Sequence, residues 1–229
     1  MEKTITRPTF RHEWKHLITW EDMLTLRMRL KAVAKADIHT VDGRYHIRSL
    51  YFDNYADRVL REKLDGVSVR EKYRIRYYNG DPLVMFLEKK CKQGGLGYKL
   101  QTRLSISQAK AILNGDIGWM KDAHDGLLTQ FYSALCSQGL RPKTIVDYMR
   151  EPYTYQPGNV RVTLDYDIRT GLSCVDFLNP DCVMIPAGDE IVLEVKWDQF
   201  LPSVIRSAVQ LDSARTTAFS KYQACRRFG

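Results

Sequence analysis

The chain has 229 residues, 44% of them hydrophobic and 27% charged, a balance that excludes a disordered polyelectrolyte and suits one domain with a substantial core. Its net charge of +8 and sequence pI of about 9.2 favour anionic partners, whether nucleic acid, phosphorylated small molecules or an anionic membrane surface, without choosing between them. No apolar run is long enough to span a membrane. Five cysteines, with no C-x-x-C pair and no secretory-type apolar stretch, predict reduced thiols in a cytoplasmic protein.

In chain order, residues 10–18 predict a strand. Thr19 with Asp22 three residues on predicts a capped helix start, and the spacing of Met23, Leu24, Leu26, Leu30 and Val33 carries that helix over 20–36. Strands follow at 45–52, 67–78, 83–92 and 97–105, with a short helix at 57–64. Asn79-Gly80-Asp81-Pro82 marks a turn between two of them. Helices are expected at 107–114 and 126–139, each closing near a glycine, then strands at 143–150, 159–169 and 190–197, and a broken helical region over 202–227. No repeat or low-complexity linker divides the chain, so a single domain is expected over 1–229.

The unusual feature is a charged face on strand after strand. Side chains alternate across a strand, so Lys72, Arg74 and Arg76 share one face while Tyr73, Ile75 and Tyr77 share the other. In 160–169 one face carries Arg161, Thr163, Asp165, Asp167 and Arg169, against Val162, Leu164, Tyr166 and Ile168. Glu194 and Lys196 share a face, as do Glu13 and Lys15, Glu88 and Lys90, and Lys99 and Arg103. One such strand is ordinarily a solvated surface. Six of them, rich in the cations that recognise phosphate, fit an α+β fold in which an antiparallel β-barrel keeps its charged faces inside and its apolar outside under helices. Unpaired buried charges are costly, so such an interior holds water or a polyanion.

Six segments then match a family in order: Glu13-Trp14-Lys15, Tyr51-Phe52-Asp53, Tyr73-Arg74-Ile75-Arg76-Tyr77, Glu88-Lys89-Lys90, Glu194-Val195-Lys196 and Phe219-Ser220-Lys221-Tyr222. They resemble the signature blocks of the VTC-type polyphosphate polymerase domain and span nearly the whole chain. That domain belongs to the triphosphate tunnel metalloenzymes, with CYTH-type adenylate cyclases, thiamine triphosphatases and RNA triphosphatases among its relatives. The resemblance implies an eight-stranded antiparallel tunnel, a divalent metal (Mn²⁺ or Mg²⁺), and transfer of the terminal phosphate of ATP onto a growing inorganic polyphosphate chain. It also leaves room for a membrane-bound partner protein, with no nucleic acid expected. Tunnel hydrolases open with E-x-E-x-K. Here Arg11 stands where the first acid would be, which resembles the polymerase branch.

Lys15, Arg74, Arg76, Lys90, Lys99 and Arg150 are the candidate phosphate ligands, Arg150 on the strength of Tyr148-Met149-Arg150 alone. Phosphoryl transfer needs positioning and charge neutralisation more than a protein nucleophile, and a line of cations supplies both. Ser220 and Lys221 resemble a phosphate-contacting pair near a tunnel mouth. Glu194 is the candidate metal ligand, with Lys196 on its face, and Glu13, Glu88 and Asp165 are acids that could hold the lysines in place. His12-Glu13-Trp14-Lys15-His16 spells the zinc-protease motif H-E-x-x-H, but that motif needs a helix; on a strand the histidines stand about 13 Å apart. The glycine-rich stretch 92–99 lacks the phosphate-loop pattern and reads as a hairpin. A tunnel triphosphatase and a non-catalytic binder of polyphosphate or RNA, the latter from the aromatics interleaved with arginine at 73–78, are the competing functions.

Overall fold

A computed structural model describes residues 10–227; residues 1–9 and 228–229 of the expected domain lie outside the described residues. The strands are β1 (His12–Ile18), β2 (Lys35–Ala36), β3 (Tyr45–Asp53), β4 (Arg70–Tyr78), β5 (Asp81–Gln93), β6 (Leu96–Leu104), β7 (Arg141–Tyr155), β8 (Val160–Thr170), β9 (Ile185–Pro186), β10 (Ile191–Trp197) and β11 (Arg215–Thr216). The α-helices are α1 (Trp20–Val33), α2 (Arg58–Leu64), α3 (Ile106–Leu113), α4 (Gly126–Gln138), α5 (Ser203–Ala208) and α6 (Lys221–Cys225).

All eleven strands join one antiparallel sheet in the order β11-β1-β10-β8-β7-β3-β4-β5-β6, with β2 on β7 and β9 on β8. The α+β class is as expected; the closed eight-stranded barrel is not. The sheet is open. It curls until its flanks meet at one bridge, where Arg11 and Gly97 exchange backbone hydrogen bonds of 3.0 and 3.2 Å. The ladder cannot extend from there, because β11 occupies the free edge of β1 at His16 and Leu17 and Thr217 bonds the Lys15 carbonyl.

Local chemistry sets most boundaries. Thr19 and Asp22 form the expected capping box at the start of α1. The helix stops at Val33 and not at 36, because Lys35 and Ala36 pair with Thr154 and Tyr153 of β7. Asn79 and Gly80 both take positive φ (52° and 71°), the two-residue turn that suits a hairpin's twist. The region 202–227 is two short helices with β11 between them.

Apolar clusters cover the convex side in two patches. Tyr73, Ile75 and Tyr77 of β4 pack with Leu87 of β5 under α3 and α4, where Phe131 is fully buried. Val162 and Leu164 of β8 and Leu193 and Val195 of β10 pack under α1 and α5. A third cluster lies on the concave side: Ile47, Val146, Ile168 and Val192 with Tyr222 and Cys225 of α6. The interior is therefore charged over part of its extent and apolar over the rest. Ile168 reaches this cluster through a break in alternation. Asp167 adopts a left-handed backbone (φ 50°) where β7 and β8 slip register, and the extra residue turns Ile168 inward while Asp167 and Arg169 become exposed. The expectation that Asp167 and Arg169 share the face of Asp165 is corrected by that bulge.

Candidate functional site

A cavity of about 760 Å³ occupies the charged part of the concave side. All ten residues singled out from the sequence border it: Lys15, Arg74, Arg76, Lys90, Lys99, Arg150, Glu194, Lys196, Ser220 and Lys221. They come from β1, β4, β5, β6, β7, β10 and the start of α6, and three carboxylate centres organise them.

Glu88 is the first. It is opposite Arg74 in the β4–β5 ladder and only 1% exposed. Arg74 reaches it at 2.7 Å through Nε and 2.6 Å through a terminal nitrogen, and Lys99 at 2.8 Å. Burial would raise its pKa, but Arg74, Arg76 and Lys99 hold the carboxyl well below its ordinary range. Arg76 stands 3.9 Å from Glu88 and bonds instead to two neutral hydroxyls, Ser49 at 2.8 Å and Tyr148 at 3.0 Å.

Asp165 is the second. Arg150 grips it with two bonds of 2.6 Å, and Lys221 of α6 adds a third of 2.6 Å. Burial opposes its charge, yet Arg150 and Lys221 lower its pKa. Ser220 caps α6 by accepting from the Gln223 amide at 3.4 Å, which sets Lys221 at the cavity wall.

Glu194 and Glu13 form the third, on neighbouring strands β10 and β1 and sharing the same two lysines. Lys196 is 2.6 Å from Glu194 and 3.4 Å from Glu13, Lys15 is 3.9 and 3.6 Å from the same two, and Arg150 is 3.5 Å from Glu194. Lys90 meets Glu13 at 2.9 Å. Burial raises the Glu194 pKa, but Lys196 and Lys15 outweigh it and keep the group well below the usual carboxylate value. Lys15 is raised by the two acids against its own burial.

Two paired carboxylates on one wall fit a hard divalent ion that takes its remaining oxygens from phosphate, so Glu194 and Glu13 would hold such a metal. Among the described residues no cluster of three His, Cys, Asp or Glu side chains could hold one alone. The H-E-x-x-H stretch lies on β1, and His12 stacks on Trp197 at 5.3 Å. The Arg11 charge is held at the rim by Asp198 at 2.7 Å and by the Asn159 carbonyl.

Three further cavity residues stand in the sequence only as neighbours in a strand face or motif, with no role assigned: Lys72, Tyr51 and Tyr148. Lys72 is a cation with no carboxylate in ion-pair range among the described residues; its ammonium stands 5.3 Å from the centre of the Tyr51 ring, and burial, with the fields of Arg74 and Lys15, pulls it down to about 8. The alternation that picks out Arg74 and Arg76 picks it out equally. Tyr51 accepts from Arg74 at 2.8 Å, and although burial works against its ionisation, Arg74, Lys72 and Arg76 bring it down to about 7. Tyr148 has Arg76, Arg150 and Lys221 over its ring at 5.7, 5.3 and 4.5 Å. A tyrosine within a β-rich apolar run carries no sign of this in sequence.

A curled antiparallel sheet whose concave wall presents this many cations defines a tunnel-type anion-binding fold. The VTC domain model matches residues 10–228, and the chain belongs to the VTC domain family. Among solved structures it is similar to a "putative adenylate cyclase" from Bacillus halodurans, at 14% identity over 82% of this chain and 81% of that chain, with a TM-score of 0.50. A protein from Pyrococcus horikoshii OT3 matches at 11% identity over 92% of this chain and 94% of that one, with a TM-score of 0.46. A "putative adenylate cyclase" from Vibrio parahaemolyticus matches at 11% identity over 88% and 83%, with a TM-score of 0.45. The likeness to the Bacillus structure is one of fold. No curated protein matches the chain significantly. No helix among the described residues is long and apolar enough to cross a membrane.

Proposed function

We propose that this protein is a metal-dependent polyphosphate polymerase that transfers the terminal phosphate of ATP onto a growing inorganic polyphosphate chain. The observation that carries the reading is one cavity bordered by Lys15, Arg74, Arg76, Lys90, Lys99, Arg150, Lys196 and Lys221, cations that outnumber the four acids they pair with, Glu13, Glu88, Asp165 and Glu194. Membership of the VTC domain family supports it.

A wall of that length can seat the triphosphate of a nucleotide and further phosphates beside it. A chain end held in line with the terminal phosphate is then a better placed acceptor than water. Arg74, Arg76 and Lys99 would neutralise the charge spread over the transferring group, and Arg150, Lys196 and Lys221 would orient its neighbours. Mn²⁺ or Mg²⁺ at Glu194 and Glu13 would supply further charge neutralisation on the phosphate oxygens.

The test is incubation of the purified protein with ATP and Mn²⁺ or Mg²⁺, reading ADP, long-chain polyphosphate and free phosphate together. ADP and polymer in step support the proposal. ADP and free phosphate alone, even with a short polyphosphate primer, would make the protein a tunnel triphosphatase. Tight polyphosphate binding with no ADP would make it a binding module.

A further inference from the structure

The segment 171–184 joins β8 to β9 and contributes no residue to the lining of the charged cavity. Its backbone is pinned: Arg48 donates to the Asn179 carbonyl at 2.9 Å, Tyr77 donates to the Phe177 carbonyl at 3.1 Å, and Phe177 is fully buried in the core under α4. Within this segment the Cys174 and Cys182 sulfurs stand 3.0 Å apart. At that separation only a shared hydrogen lies between them. Both thiols are partly exposed, and both line a second cavity of about 430 Å³ that Asp176, Asn179 and Asp181 help to form. The remaining cysteines are placed differently. Cys91 and Cys225 are buried, and Cys136 is exposed on α4.

We propose that Cys174 and Cys182 are a reversible thiol–disulfide modification site, oxidised by a low-molecular-weight disulfide of the glutathione class. The sulfurs need to close by only about 1 Å to reach a disulfide bond length of about 2.05 Å. Seven residues lie between the two cysteines, and that stretch carries no helix or strand. The adjoining cavity gives a small disulfide access to the sulfurs, whereas the buried Cys91 and Cys225 offer none.

The chemistry balances in two exchanges. One cysteine thiolate attacks a sulfur of oxidised glutathione, forming a mixed disulfide and releasing one glutathione thiolate. The second cysteine thiolate attacks the protein sulfur of that mixed disulfide, closing the Cys174–Cys182 bond and releasing the second glutathione. The two thiol protons end on the two glutathiones. The Cys182 thiol is pushed up to about 11 by burial and by Cys174 beside it, so the exchange accelerates as pH rises. None of these steps involves the phosphate cavity, and the site stands whether or not the protein makes polyphosphate.

The consequence reaches toward that cavity through one contact. Thr170, at the base of the segment, donates to the Cys225 carbonyl of α6 at 3.1 Å, and α6 begins at Lys221 on the cavity wall. A staple across 174–182 would begin four residues beyond that contact.

The test equilibrates the whole chain over a wide range of oxidised-to-reduced glutathione ratios, quenches with acid, alkylates free thiols and maps the peptides. The expected result is an intrachain 174–182 linkage that dithiothreitol reverses, accompanied by a rise in Tm of roughly 5 °C. It persists in Cys136→Ser and is absent from Cys174→Ser and Cys182→Ser. If a serine variant fails to fold, the wild-type peptide map still decides. Both thiols alkylated at every ratio, a glutathione adduct as the end product, or a linkage through Cys136 between chains would each overturn the proposal.

Discussion

Lys90 of β5 meets Glu13 of β1, Nζ to Oε1 at 2.9 Å, although the two strands lie near opposite ends of the sheet's path. Only a sheet rolled through most of a turn can bring them together. Burial pulls the Lys90 ammonium down to about 7; Glu13 resists the fall, while Lys15 and Lys196 add to it.

That placement makes anion binding pH-dependent near neutrality. Triphosphate affinity, measured calorimetrically, should fall as pH rises from about 6 to about 8, because only the ammonium form attracts phosphate. Glu13→Gln should move the midpoint lower. The stability sign is the reverse. The folded pKa lies below the unfolded value near 10.4, so the unfolded chain holds the extra proton between about 7 and 10, and Lys90 costs the fold least at high pH. A midpoint unmoved by Glu13→Gln would remove Lys90 from the binding wall.

Tyr51 should ionise at an unusually low pH. Its near-ultraviolet tyrosinate signal is expected to appear at about pH 7 in the free protein and to vanish in Tyr51→Phe. Lys72→Met should move that signal upward, since the Lys72 ammonium above the ring is one of the fields that lower it. A bound polyphosphate screens the same cations and should also raise the midpoint. A single tyrosine titration near pH 10, unaffected by Lys72→Met, would contradict the arrangement.

Arg74→Ala and Arg76→Ala should each reduce polymer formation at least about tenfold, or roughly 1.4 kcal/mol of transition-state stabilisation. They should differ in stability. Arg74→Ala takes from buried Glu88 its shortest ionic partner and leaves Lys99 and the more distant Arg76, a loss of about 3 kcal/mol. Arg76→Ala frees the hydroxyls of Ser49 and Tyr148, a loss of about 1–2 kcal/mol. Urea unfolding beside the polymer assay separates the two effects, and equal losses of stability would mean that Glu88 does not depend on Arg74.

Glu194→Gln should divide binding from turnover. Removing a carboxylate from among Lys15, Lys196 and Arg150 should strengthen metal-free triphosphate binding several-fold while abolishing the metal-dependent rate. The wild-type Glu194 pKa is depressed, so its contribution to stability is present above the unfolded value and is lost as pH falls through the lower folded value. The variant should therefore lose less Tm than wild type below about pH 4. Turnover unchanged at limiting metal would take Glu194 out of the metal site.

Much of the candidate site was legible because alternation is a strong constraint. Once Tyr73, Ile75 and Tyr77 need a core, Arg74 and Arg76 have only the other face available, and the ladder then sets Glu88 beside Arg74. What alternation cannot foresee is an interruption. Asp167 is an ordinary polar residue in sequence, yet its left-handed backbone reverses the facing of Ile168 and Arg169. The open sheet was equally hidden, since it depends on Arg215 and Thr216, a pair too short to show any period, occupying the edge of β1. Lys72 is hidden for a different reason: it shares a face with Arg74 and Arg76, and only the structure shows it over the Tyr51 ring, with no carboxylate in ion-pair range among the described residues.

The carboxylates that hold the cavity's cations have a consequence for how a ligand enters. Arg74, Arg150, Lys196 and Lys221 each already grip an oxygen at 2.6 Å. At these four cations an arriving anion must take the place of an oxygen that is already there, and Glu88, Asp165 and Glu194 offset their mutual repulsion; Lys72, with no ion-pair partner among the described residues, is the exception. Anion occupancy at these four cations is thus decided by a difference between two similar sets of contacts. A polyphosphate polymerase of the kind proposed, whose chain advances one unit at a time, would need that kind of grip.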